Sequence, residues 1–124
     1  MELIMANPYF QFKQFTIYHD RTAMKVTTDA CLFGAWAAQE ISQMPNIATM
    51  LDVGTGTGLL SMMVAQQKAL ETDAIEIDPD AAAQASENIK ASPWATRIHV
   101  IQQDVNDLQP GRAYDVVISN PPFY

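Results

Sequence analysis

Five residues, Gly54-Thr55-Gly56-Thr57-Gly58, separate an apolar run that reads as a strand from an apolar run that reads as a helix. This junction constrains the chain more than any other feature. A strand, a glycine turn and a helix in that order form the first part of a crossover unit, which delivers the next strand parallel to the first. The strand is read over Ile47 to Val53 and the helix from about Leu59 to Lys68. The same pattern then recurs. Thr72 to Ile77 is a short strand, and Asp78-Pro79 places an N-cap before a proline at the first helical position. That helix runs to about Ala91 and stops at Ser92-Pro93. Arg97 to Gln102 is a third strand, and a loop with Pro110-Gly111 leads to a fourth over Tyr114 to Ser119. Strands alternating with helices predict an α/β fold: a parallel sheet with helices on both faces.

Ahead of this core, Phe10 to Tyr18 is aromatic and partly alternating, which predicts a strand or hairpin. Thr27 and Thr28 are candidate N-caps for a helix to about Gln39, with Leu32, Phe33, Trp36 and Ala37 on one face. The chain divides into an aromatic, basic extension over 1–26 and a sheet-forming unit over 27–124. Its 124 residues suit one domain, and a hydrophobic share of 48% suffices for a core. Fourteen acidic against seven basic side chains give a net charge of −7, which does not mark a polyanion binder. Residues 1–26 depart from this balance, since Lys13, Arg21 and Lys25 outweigh Glu2 and Asp20. The one cysteine, Cys31, excludes an internal disulfide and reads as a small buried side chain. No apolar run reaches the length of a membrane span, and the N-terminus lacks the pattern of a signal peptide. These features predict a soluble cytoplasmic protein. His19 and His99 stand apart, so no metal is expected.

The glycine run gains meaning from its surroundings. Glycines tolerate φ > 0 and let a ligand approach the backbone. Dinucleotide enzymes space them as GxGxxG, which brings a helix N-terminus to a pyrophosphate. Here the order is Asp52-x-Gly54-x-Gly56-x-Gly58, with a carboxylate at the turn. That charge repels a pyrophosphate and suits a cation. S-adenosyl-L-methionine carries a sulfonium and an α-ammonium group and fits better than NAD. Glu76 ends the second strand, 22 residues beyond Gly54, where its carboxylate can accept from both ribose hydroxyls. Asp78 competes for that role but also reads as a cap. Asp104, after the third strand, can accept from the adenine amino group.

Asn120-Pro121-Pro122-Phe123 follows the fourth strand, where open α/β sheets hold their chemistry. A strand terminator alone needs neither the asparagine nor the aromatic ring. An exocyclic or amide nitrogen is a poor nucleophile because its lone pair is delocalised. The Asn120 side-chain oxygen and the Pro121 carbonyl can each accept one of its N–H bonds and favour a tetrahedral nitrogen. Pro121 and Pro122 stiffen the acceptors, and Phe123 can stack on a flat target group.

With these motifs the chain resembles the Rossmann-like class I methyltransferases that bear an N-P-P-[F/Y] motif. Further segments narrow the match: Phe12-Lys13-Gln14-Phe15, His19-Asp20-Arg21 through Thr28-Asp29, Gly34-Ala35-Trp36-Ala37, Ala81 to Ile89, and Ser92-Pro93-Trp94-Ala95. They resemble the family of bacterial enzymes that methylate N6 of adenine 37 in a valine tRNA. The resemblance implies that Lys25 to Asp29, with Lys25, Thr28 and Asp29 as candidates, help bind the methionine end of the cofactor. It gives Asp52, Gly54, Gly56 and Gly58 the cofactor turn, Glu76 the ribose, Asp104 and Val105 the adenine, and Asn120 to Phe123 the target base. It also implies tRNA as partner, with Arg21 and Lys25 meeting its phosphates. The related alternatives are protein-glutamine N5 and ribosomal-RNA guanine-N2 methylation, or a cofactor-binding piece without turnover. Family members continue for about as many residues again. The apolar fourth strand would leave an open sheet edge, which predicts either a chain truncated after that strand or an edge covered by a second chain.

Overall fold

The computed structural model describes residues 9–22, 26–109 and 112–120. Two short strands, β1 (Tyr9–Gln11) and β2 (Thr16–Tyr18), form an antiparallel hairpin. The helix α1 (Thr28–Ser42) follows, then β3 (Thr49–Val53), α2 (Leu59–Gln67), β4 (Glu71–Glu76), α3 (Pro79–Lys90), β5 (Ile98–Gln102), a 3-10 turn (Val105–Asp107) and β6 (Val116–Ser119). The last four strands make one parallel sheet in the order β5-β4-β3-β6.

That order fixes where the helices lie. The crossovers β3–α2–β4 and β4–α3–β5 step in the same direction, so right-handed connections put α2 and α3 on one face. The return from β5 to β6 steps the other way and crosses the opposite face. Its regular structure among the described residues is the single 3-10 turn. The expected covering of both faces is therefore asymmetric in this chain. On the far face the connection is pinned by Asp73, which accepts from the Tyr114 hydroxyl at 2.7 Å and from the Arg112 guanidinium. Asp115 anchors β6 to the start of β3 by accepting from the amides of Ala48 (2.6 Å) and Thr49 (3.0 Å), which hold its carboxyl below the usual range.

One core cluster joins Phe15, Ile17 and Val26 to Leu59 and Met62 of α2, Ala74, Ile89, Trp94 and Ile98. The stretch before residue 27 thus shares the core of the sheet. Phe15 meets Trp94 edge-on at 5.4 Å, and Phe12 stacks on Phe15 at 4.7 Å. Cys31 is half-buried against this cluster, and burial pushes its thiol up.

The helix α1 begins where Thr27 caps it, its hydroxyl accepting from Ala30 N at 3.1 Å, and runs three residues past the expected end. Its inner face differs from the one read in the sequence. Leu32 and Trp36 are 64% and 61% exposed, while Ala30, Gly34, Ala37, Ala38 and Ile41 are buried. Close packing of α1 on α2 selects the small side. A Cβ at Gly34 would collide with the sulfur of Met63, so bulk on that side would force the Met63 side chain to move. The outer edge of β6 has no strand partner among the described residues, and Val117 is 60% exposed.

The face assignment is checkable by urea unfolding. Ile41→Ala should cost about 2–4 kcal/mol as a core truncation, and Trp36→Ser should stay within about 0.5 kcal/mol. Equal costs would refute it.

Candidate active site

All four parallel strands present their carboxyl ends on one edge of the sheet, and the sequence-marked residues gather there. Val53 pairs with Ser119, so the glycine turn after β3 and Asn120 after β6 start side by side. The Ser119 hydroxyl fixes this step by donating to the Val53 carbonyl at 3.0 Å. A small cavity of about 40 Å³ lies between them, lined by Val26, Ala30, Gly54 to Thr57, Leu59, Leu60 and Asn120.

The turn holds its shape through glycine conformations and backbone bonds. Gly54, Gly56 and Gly58 have φ of 71°, 58° and 87°, a region that side-chain-bearing residues avoid. A Cβ at Gly54 or Gly56 would meet nothing within 4 Å, so these two leave open space over the backbone. Gly54 N and Thr55 N both donate to the Ile75 carbonyl, at 3.0 and 2.9 Å.

Asp52 sits under this turn with no exposed surface. One carboxylate oxygen accepts from the hydroxyls of Thr55 (2.8 Å) and Ser61 (2.7 Å). The other is buried and has no protein partner. Burial pushes the Asp52 carboxyl above the usual range, against the lowering effect of the Ser61 and Thr55 bonds, and the Glu76 charge adds to the rise. Such an acceptor, just before the glycine turn in the chain, would favour a positively charged group brought against it.

Glu76, at the end of β4, reaches back to the turn. One oxygen accepts from Gly56 N at 2.8 Å and the other from Asp78 N at 3.1 Å. A carboxylate offers about four acceptor sites, so both oxygens keep capacity for a diol. Asp78 caps α3 by accepting from Ala81 N at 2.9 Å, and Pro79 follows as read. Its carboxylate is thus engaged as a cap. Asp104 likewise caps the 3-10 turn through Asn106 N at 2.9 Å. It remains half-buried at the edge that carries Glu76, where Gln103 N bonds the Glu76 carbonyl at 3.0 Å, and Val105 is 43% exposed beside it. These residues fit the cationic, diol-bearing group expected from the sequence.

Other expected residues stand differently. Thr28 has a buried hydroxyl without a partner, and Asp29 is exposed in the first turn of α1. The apolar wall on this side comes from Val26, inside the expected Lys25–Asp29 stretch, and from Ala30, which no motif marked. Lys25, Pro121, Pro122 and Phe123 lie outside the described residues. Arg21, expected to face phosphate, pairs at the surface with Glu87. Among the described residues no cluster of His, Cys, Asp and Glu could hold a metal. Ser61, which holds Asp52 together with Thr55 of the glycine run, was missed because an isolated hydroxyl in an apolar run carries no spacing signal.

A Rossmann-type sheet with a glycine turn, an acid beneath it and an acid at the next strand end defines a class of protein, the open α/β proteins that bind a nucleoside-bearing cofactor. The methyltransferase small domain family matches residues 38–124, and the chain belongs to that family. It is 52% identical over 122 residues to a protein of Parabacteroides distasonis named tRNA1(Val) (adenine(37)-N6)-methyltransferase, covering 97% of this chain and 49% of that relative. A Klebsiella pneumoniae protein of the same name is 50% identical over 119 residues, covering 93% and 46%. The chain spans about half the length of the curated relatives it matches. Among solved structures, a SAM-dependent methyltransferase from Agrobacterium tumefaciens superposes with a TM-score of 0.73 at 19% identity, covering 92% of this chain and 39% of that one. The Trypanosoma brucei PRMT1 enzyme–prozyme complex with AdoHcy gives 0.65 at 28% identity, covering 73% and 28%. The fold is that of S-adenosylmethionine-dependent methyltransferases.

The raised pKa of Asp52 has a sign that can be measured. A carboxyl whose folded pKa lies above its unfolded value stabilises the fold while protonated and loses that contribution as pH rises through the folded pKa. Asp52→Asn, which keeps an acceptor for Thr55 and Ser61, should therefore be more stable than the parent in thermal unfolding at pH 7. The gain should vanish below about pH 4, where the carboxyl is protonated in both states. A pH-independent difference would contradict the burial of a charge.

Proposed function

We propose that this chain forms the cofactor-binding part of an S-adenosyl-L-methionine-dependent methyltransferase whose target is N6 of an adenine in tRNA. The observation that carries the reading is the meeting of Asn120 with the Gly54–Thr57 turn in one cavity. The acceptor for a target amine and the cradle for a cationic cofactor lie within one small space. The relatives' names supply the nucleic acid.

The cofactor, when bound, supplies an electrophilic methyl group on a sulfonium. This chain's residues do the rest. Asp52 and the glycine turn would hold the amino-acid end, which Lys25, Thr28 and Asp29 would help to bind. Glu76 would accept from the ribose hydroxyls. Asp104 and Val105 would border the adenine, and Asp78 would hold α3 in place. Asn120 would accept an N–H of the target amine and orient its lone pair, with Pro121, Pro122 and Phe123 as its neighbours in the motif. Such catalysis rests on positioning and preorganised acceptors. A tRNA substrate supports a cytoplasmic location. No helix among the described residues is long and apolar enough to cross a membrane. The open edge of β6 is where a second copy would add a strand.

Titration of the 124-residue chain with S-adenosylhomocysteine should show saturable one-to-one binding, and Glu76→Ala should weaken it tenfold or more. Unchanged affinity in that variant would move the ribose contact to Asp78. Labelled methyl transfer by the corresponding longer enzyme should appear in the tRNA fraction and fall by about 10²–10³ in Asn120→Ala, the loss typical of one preorganised hydrogen-bonding group. Label confined to protein would replace adenine with a glutamine amide as target.

A further inference from the structure

We infer that Asn88 is a positioning residue of the cofactor site, tying its two walls together from behind. The inference rests on the cofactor reading above. Asn88 lies on the inner face of α3, 1% exposed and far from the glycine turn in sequence. Its side chain makes three hydrogen bonds. The oxygen accepts from Tyr18 N at 2.9 Å, and the nitrogen donates to the Tyr18 carbonyl and the Thr57 carbonyl, each at 2.9 Å.

Each bond leads to one wall of the cavity. Thr57 lines it directly, and the next residue is Gly58, with φ of 87°. A Cβ there would lie 3.2 Å from Ile89 Cδ1, so α3 backs the turn closely. The other branch runs through the chain before α1. Tyr18 is followed by the buried His19, whose Nδ1 accepts from Val26 N at 3.2 Å. Val26 lines the same cavity with Ala30. One amide thus sets the Thr57–Gly58 backbone on one side and, through Tyr18 and His19, Val26 on the other.

The chemistry demands a primary amide. The position must donate twice to carbonyls and accept once from an N–H, which a carboxylate or an apolar side chain of that size cannot do. Gln84, one turn earlier and also fully buried, provides an internal comparison. It accepts from Arg21 N at 3.0 Å and donates to Asp20 at 2.6 Å. It fastens the same stretch of chain to α3, and its hydrogen bonds do not reach the glycine turn.

The two amides separate holding the chain from shaping the site. Asn88→Asp keeps the size and the acceptor but loses both donors, and Gln84→Glu does the same at the other position. Both should lower the melting temperature. Measured well below unfolding, the affinity for S-adenosylhomocysteine should fall tenfold or more in Asn88→Asp and less than threefold in Gln84→Glu. Unchanged affinity in a folded Asn88→Asp, or equal losses in both variants, would overturn the inference. Should Asn88→Asp not fold, amide exchange of the unmodified chain decides. Added S-adenosylhomocysteine should slow exchange at Tyr18 and Val26 together with Gly58, and protection confined to the glycine turn would overturn it. A parent chain that binds no S-adenosylhomocysteine would instead remove the cofactor reading, and this inference with it.

Discussion

Parallel strands cannot be joined by tight turns, and each crossover must return over a face of the sheet before the next strand begins. In the order β5-β4-β3-β6 this puts the ends of all four strands, and every loop that leaves them, on one edge. Asp52 and the glycine turn, Glu76, Asp104 and Asn120 are spread over nearly 70 positions of sequence and still converge there. Register supplies the fine adjustment. Because Val53 pairs with Ser119 and with Ile75, Gly54 stands between Asn120 on one side and Glu76 on the other. A slip of one residue in either ladder would invert a strand's faces and withdraw its terminal side chain from the group.

Within that frame the site is held by polar groups placed where burial makes them expensive. Asp52 lies under the turn, half satisfied by Thr55 and Ser61. The unsatisfied half disfavours the charged carboxylate and would favour a cation brought against it. Glu76 holds the turn from the other side through Gly56 N. The residue expected to meet the ribose thus also fixes the loop that forms the neighbouring wall. Loop shape and ligand contact are supplied by the same carboxylate.

The elements that could be read in the sequence share a cause. The glycine turn, the Asp78-Pro79 helix start and the Asn120-Pro121 stop are local, since each depends on what one residue does to its own backbone. The face of α1 could not be read that way. Leu32, Phe33 and Trp36 are the larger hydrophobes, and transfer energy alone would bury them. Which side turns inward depends instead on how closely α2 approaches, and the approach at Gly34 and Met63 favours the small residues. The roles of the carboxylates divide similarly. Asp78 and Asp104 are both spent on caps, while the separate bonds of Asp52 and Glu76 depend on partners that only the folded sheet brings near.

Gln84 and Asn88 show what the sequence did hold without its being legible. They fall four residues apart, on one side of a helix rich in alanine, with Ala81 and Ala85 on the same buried face. Apolar periodicity skips them because they are polar, and site motifs skip them because they bear no charge. Buried amides are retained only where their hydrogen bonds are met, and here the partners are backbone groups 63 and 70 positions away in the chain, with one more in the glycine turn. Two amides at helical spacing on an otherwise apolar face are therefore a sign that irregular backbone must be docked against that helix. In this fold the docked backbone is the stretch from Tyr18 to Arg21, whose His19 also holds Val26 at the cavity beside the glycine turn.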